Sequence, residues 1–152
     1  MKVVTANDPR IPLRFIRATL LVIGQSNGGM VTLGYGAVDP RAKAIINFAG
    51  GINTPNKPSC DWRNEMIRAA SELGATTRIP SLWIYADDDE LFPPAISQPF
   101  FDAYRQGAAS AMLKTYPKGG HNFMNTRHGR KTWGPDMEVF LSSVGMPAKE
   151  IH

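Results

Sequence analysis

The sequence predicts an α/β fold, a parallel sheet of about four strands with helices on both faces. Two observations predict it. Four short apolar runs alternate with four segments of helical character, the pattern of parallel α/β layering. The runs also end in glycine-rich or acidic loops carrying reactive side chains, and a parallel sheet gathers such loops at one edge. No internal repeat, low-complexity tract or long linker divides the chain, so its 152 residues read as a single domain, 1–152.

The first strand is Leu20 to Ile23. It runs into Gly24-Gln25-Ser26-Asn27-Gly28-Gly29 and then a small-residue helix from about Gly28 to Ala37, ended by Asp39-Pro40. The second strand is Ala44 to Phe48. After a loop rich in Asn and Pro, a helix from about Arg63 to Leu73 presents Met66, Ile67, Ala70 and Leu73 on one face, and Gly74 closes it. The third strand, Ser81 to Tyr85, leads into Asp87-Asp88-Asp89-Glu90, and a helix from about Ile96 to Gln106 stops at Gly107. The fourth strand is Ala111 to Tyr116. Beyond the loop Pro117-Lys118-Gly119-Gly120-His121-Asn122-Phe123, a last helix spans about Pro135 to Val144, with Met137, Phe140, Leu141 and Val144 on one side.

Composition narrows the function classes. Hydrophobic residues at 43% and charged residues at 20% belong to an ordinary globular chain. A net charge of +4, spread along the sequence, gives no nucleic-acid footprint. The densest basic run, Arg127, His128, Arg130 and Lys131, reads as a solvated loop that could attract an anionic substrate. Cys60 is the only cysteine, which excludes an intrachain disulfide and a multi-cysteine metal site. The histidines lack ligand spacing and the acidic run lacks a calcium-loop pattern, so neither metal nor cofactor is expected. The N-terminus shows no export signal and no stretch is long and apolar enough to span a membrane, so a cytoplasmic protein is expected.

Chemistry is concentrated in three loops. Gly24-Gln25-Ser26-Asn27-Gly28 has the form G-x-S-x-G between a strand and a helix, which puts Ser26 on a strained turn with its hydroxyl exposed. Small residues two before and two after keep neighbouring chain from colliding. The first helical turn then offers unpaired N–H groups, that of Asn27 first, to a developing oxyanion. A serine hydroxyl needs a base within hydrogen-bond reach. Of His121, His128 and His152, His121 fits best, because its Gly-Gly-His-Asn loop follows the last strand at the same edge of the sheet. A carboxylate must orient the imidazole, and Asp87, Asp88, Asp89 and Glu90 all follow the third strand there. These residues alone do not choose among the four.

The segments Gly24-Gln25-Ser26-Asn27-Gly28-Gly29, Leu82-Trp83-Ile84-Tyr85-Ala86-Asp87-Asp88-Asp89 and Gly120-His121-Asn122-Phe123 resemble the dienelactone hydrolase-like branch of the α/β-hydrolase superfamily, from about residue 13 onward. The resemblance implies the chain order Ser, Asp, His. It also implies Asp89 as the acid, at the fourth position of a G-x-x-D pattern in which Ala86 replaces the glycine. Dienelactone hydrolases proper carry a cysteine at the position of Ser26, so the expectation is a serine hydrolase of carboxylic esters or related acyl compounds. The alternative is a non-catalytic or weakly active fragment serving as a binding or assembly module. Trp62, Trp83, Phe100, Phe101 and Trp133 read mainly as core or lid residues. Phe92 and Phe123, beside the acid and base loops, are the candidate pocket residues, with Gln25 flanking the nucleophile.

Relatives of this kind place about four strands before the nucleophile strand, and a loop among them supplies a second oxyanion donor. Here Asp8-Pro9 to Arg17 reads as a remnant helix leading into Leu20. Three consequences are expected. Loss of one donor lowers turnover by ~100- to 1,000-fold. Half of the sheet's second face is left bare. The nucleophile strand becomes an open edge, which would pair with a second copy or with a separate N-terminal piece.

Overall fold

The computed structural model describes residues 20–39, 41–53, 61–108 and 110–146. The remnant helix expected from Asp8 to Arg17, Cys60 and His152 lie outside the described residues. Strands and helices alternate as β1 (Leu20–Gln25), α1 (Asn27–Val38), β2 (Ala42–Phe48), α2 (Trp62–Thr76), β3 (Ser81–Ala86), α3 (Pro94–Arg105), β4 (Ala111–Tyr116) and α4 (Arg127–Ser143). A short 3-10 turn, Phe123–Asn125, precedes α4. The strands pair in parallel and lie in chain order, β1-β2-β3-β4.

Crossovers of one hand put the three connecting helices on one face of the sheet. There Leu33 of α1, Met66 and Ala70 of α2, and Phe100, Phe101 and Tyr104 of α3 pack against Ile45, Trp83 and Tyr85. Trp83 is the hub, with the rings of Phe100, Tyr104 and Phe101 centred 4.9, 5.0 and 5.4 Å away. The second face is covered by α4, whose Trp133, Met137, Phe140 and Leu141 meet Ala44, Ile46, Phe48, Leu82 and Ile84.

That second face is less bare than expected. Ala44 and Ile46 are fully buried under α4, and exposure is confined to the flanks, at Ile23 of β1 (45%) and Met112 of β4 (40%). The reason is the length of α4. It starts at Arg127, eight residues before the Pro135 expected to open it, so the basic run is helical and not a loop. Thr126 caps it, its hydroxyl oxygen accepting the Gly129 N–H at 2.8 Å. Pro135 removes one N–H from the helix interior, while the buried positions Gly129, Trp133, Met137 and Phe140 continue across it.

Gly74 also departs from expectation. It does not close α2, which runs on to Thr76. A Cβ there would come within 2.0 Å of the Tyr104 carbonyl oxygen, so glycine is required by the close approach of α3. Pro94 opens α3, and Pro99 sits inside it.

Candidate active site

Ser26 sits between β1 and α1 with φ 56° and ψ −128°, a backbone conformation that costs about 1–3 kcal/mol and persists only where surrounding bonds enforce it. Those bonds are present. The Ser26 N–H donates to the Phe48 carbonyl at 3.0 Å, and its own carbonyl accepts from the N–H groups of Gly51 (3.2 Å) and Met30 (3.3 Å). Gly24 is the indispensable small residue, since a Cβ there would lie 2.2 Å from the Gly28 oxygen. Gly28 itself has open space, so only one of the two flanking glycines is needed for clearance. Asn27 begins α1, and its N–H belongs to the first-turn groups that have no acceptor within the helix.

The structure brings Ser26, His121 and Asp89 together. His121 Nε2 lies 2.9 Å from Ser26 Oγ, and His121 Nδ1 lies 3.1 and 3.2 Å from the two Asp89 carboxylate oxygens. Asp89 is 1% exposed and His121 9%. The carboxylate can only accept, so Nδ1 carries the proton and Nε2 is left free to accept from the serine hydroxyl. Asp89 Oδ1 also accepts from the N–H groups of Leu91 (2.8 Å) and Phe92 (3.0 Å), which fixes the carboxylate in place. His128 lies exposed on the first turn of α4.

The remaining acids divide the work of holding the histidine loop. Asp88 Oδ1 accepts from the N–H groups of Gly119 and Gly120, both at 2.8 Å. The Gly120 N–H chiefly, with that of Gly119, holds the Asp88 carboxyl below the usual carboxylate range against a smaller opposing effect of burial. Gly120 takes φ 62° and so permits the turn. Glu90 accepts the His121 N–H at 3.2 Å. The Asp87 side chain is exposed. Sequence reasoning had no means to assign these grips, which depend on loops some thirty residues apart.

Two expected pocket residues are buried. Phe92 is 1% exposed and lies against the His121 ring, centroids 5.6 Å apart, so it backs the imidazole. Phe123 is 3% exposed and belongs to the core beneath α4, beside Tyr116 at 5.3 Å. The Gln25 side chain is bonded to the histidine loop. Residues that sequence reasoning missed support the turn from below. Tyr85 Oη donates to the Gly50 carbonyl at 2.6 Å, steadying the segment whose Gly51 N–H holds Ser26, and Asn47 Nδ2 donates to Tyr85 Oη at 3.4 Å. Burial pushes the Tyr85 hydroxyl up, so it stays protonated. The available signal was an asparagine in the apolar run Ala44 to Phe48, where the structure buries it fully.

Among the described residues, no His, Cys, Asp or Glu side chains cluster as metal ligands, and no helix is long and apolar enough to cross a membrane.

No family model matches the chain. It is 28% identical over 110 residues to a "Putative carboxymethylenebutenolidase" of Escherichia coli K12, covering 68% of this chain and 36% of that protein, and the Salmonella typhi protein of the same name matches equally. The chain thus spans little more than a third of the length of the curated relatives it matches. A Klebsiella pneumoniae protein described as a "Putative Dienelactone Hydrolase" superposes with a TM-score of 0.62 at 22% identity, over 81% of this chain and 51% of that one. A Pyrococcus furiosus esterase gives 0.65 at 13% identity, over 84% and 54%. An acylaminoacyl peptidase of Pyrococcus horikoshii gives 0.63 at 19% identity, over 90% and 25%. With its parallel four-stranded sheet and the helices on both faces, the chain carries part of the α/β-hydrolase fold, which it shares with these dienelactone hydrolase, esterase and peptidase structures.

Proposed function

We propose that the protein is a serine hydrolase that cleaves carboxylic esters or related acyl compounds through an acyl-enzyme. The observation that carries this is the continuous hydrogen-bond chain from Ser26 Oγ through both His121 ring nitrogens to Asp89. Similarity to proteins named as dienelactone hydrolase, esterase and acylaminoacyl peptidase supports acyl chemistry in general.

In this reading Ser26 Oγ attacks the substrate carbonyl carbon while His121 Nε2 takes its proton. Asp89 keeps the ring oriented and stabilises the imidazolium. The carbonyl electron pair moves onto oxygen, where the Asn27 N–H and the positive end of α1 meet the new charge. Collapse of the tetrahedral intermediate breaks the bond to the leaving group, which departs with the proton from His121. Water, deprotonated by the same nitrogen, then releases the acid and restores Ser26. Asn27 is the one oxyanion donor assigned, and a single donor supports slow turnover.

A fluorophosphonate probe tests the proposal. Wild-type protein is expected to be labelled at Ser26, with labelling lost in Ser26→Ala and His121→Ala. Asp89→Asn is expected to lower turnover of a small ester by about 10⁴-fold, because the imidazole loses its fixed tautomer. A folded wild-type sample that takes no label at neutral pH sinks the reading.

A second reading, that of a weakly active or non-catalytic binding or assembly module, is favoured by Asn27 being the one oxyanion donor assigned among the described residues. Saturable acyl-ligand binding without turnover, unchanged in Ser26→Ala, would select it. Either reading includes association through β1, which has no strand on its outer edge among the described residues.

A further inference from the structure

Ser26 and His121 follow β1 and β4, which lie at opposite edges of the sheet. Three interstrand spacings separate them, about 14 Å at ~4.8 Å each. The histidine loop must cross that span, and a hydrogen bond to a mobile serine hydroxyl is a poor tether. On the β3 side the loop is held firmly, by Asp88, Asp89 and Glu90. On the β1 side the hydrogen bonds to the loop's main chain and amides come, among the described residues, from Gln25, next to the nucleophile.

Gln25 is the last residue of β1. Its Nε2 donates to the His121 carbonyl at 2.8 Å and lies 3.4 Å from Asn122 Oδ1, and its Oε1 accepts from Asn125 Nδ2 at 2.7 Å. The amide orientation follows from chemistry, since a backbone carbonyl can only accept and Nε2 must therefore face it. The His121 main chain is thus held from both ends: its N–H by Glu90 from the acid loop, its C=O by Gln25 from the nucleophile strand.

We propose that Gln25 is a positioning residue that sets the distance between His121 Nε2 and Ser26 Oγ, with Asn125 fixing the orientation of its amide. The proposal rests on the serine hydrolase reading for its effect on rate, but not for its effect on the ring. A positional error of about 1 Å in a reacting pair can lower rate by about 100-fold. Gln25 reaches the imidazole only through the backbone, so its loss changes the rate of acylation and leaves binding of a small ester unaltered.

The test compares wild type with Gln25→Met, which keeps the side-chain length and removes the hydrogen bonds, and with Gln25→Glu, which sets a carboxylate against the His121 carbonyl oxygen. Circular dichroism and thermal unfolding establish folding first. Fluorophosphonate labelling is expected to slow by 10- to 100-fold in Gln25→Met and further in Gln25→Glu, with kcat/KM for p-nitrophenyl acetate falling in step. Asn125→Ala should give a smaller drop, of about 3-fold, and it carries the test if both Gln25 variants fail to fold. The His121 imidazole signals in NMR provide a readout independent of turnover. They are expected to broaden or split in Gln25→Met as the ring samples more than one position. Wild-type labelling rates and an unchanged imidazole spectrum in a folded variant would overturn the proposal. If wild type itself takes no label, the hydrolase reading fails, and the imidazole spectrum alone then decides the role of Gln25.

Discussion

β3 and β1 deliver opposite ends of one hydrogen-bond chain from opposite packing environments. β3 is buried at every residue, clamped between strands on both sides and helices on both faces, and Asp89 follows it. β1 is an outer strand in which only some positions are half-covered, and Ser26 follows it. The difference shows that sheet burial does not hold the nucleophile in place. Its position comes from the local turn: the Gly24–Gly28 contact, the bonds to Phe48, Gly51 and Met30, and the reach of Gln25. The acid inherits its rigidity from the core, whereas the serine's rigidity is made on the spot.

That contrast makes damage to β3 global and damage to β1 local. Trp83→Ala is the severest test. It empties the site at the centre of the Phe100, Phe101 and Tyr104 cluster, and large aromatic-to-alanine changes in a core cost about 3–5 kcal/mol. Domain stabilities are about 5–15 kcal/mol, so the variant should unfold at much lower denaturant or fail to accumulate. Urea unfolding followed by fluorescence measures this. A loss below about 1 kcal/mol would mean that β3 is not the keystone of the sheet.

A smaller effect is expected at the acid loop, and it depends on pH. The folded-state pKa of Asp88 lies below its unfolded value, so its grip on Gly119 and Gly120 contributes fully above the ordinary carboxylate pKa of about 3.9. The contribution is lost as pH falls through the depressed folded value. Asp88→Asn removes the charge at every pH. The stability gap between wild type and variant should therefore be constant from neutral pH to about 4 and close below that. Denaturation curves across this range check it, and a gap that widens on acidification would contradict the assignment of Asp88 to the loop.

The same contrast explains what could be seen in the sequence. β4 was legible to the residue, Ala111 to Tyr116, because its apolar members lie within six residues and the loop from Pro117 bounds them. The turn at Ser26 was legible for the same reason, since glycine placement within five residues encodes it. The choice of Asp89 over its neighbours came only from the resemblance and not from the residues themselves, because it depends on how one turn aims three adjacent carboxylates at a loop 32 residues away. Gln25 and Asn125 are 100 positions apart, and nothing in either segment announces the pairing. The start of α4 was hidden by Pro135, which resembles an opening residue and lies mid-helix because Thr126 caps the chain earlier.

The smallest change in folding free energy is expected at the β1 flank. Ile23 is 45% exposed and borders a groove of about 250 Å³ with Phe48, Met124, Trp133 and Met137, where the buried Trp133 Nε1 has no partner among the described residues. An open strand edge beside exposed apolar side chains is a template for association. Ile23→Lys should therefore change unfolding free energy by no more than about 0.5 kcal/mol, as surface substitutions usually do. Self-association at micromolar concentration, followed by sedimentation velocity, should nonetheless fall, because a lysine on an edge strand opposes pairing with another chain. Fluorophosphonate labelling should persist, since no bond that fixes the Ser26 turn involves the Ile23 side chain. A wild-type protein that is already a monodisperse monomer would refute association through β1. Loss of labelling in a stable Ile23→Lys protein would refute the local origin of the nucleophile's rigidity, and would mean that the bare flank of the sheet reaches the chemistry after all.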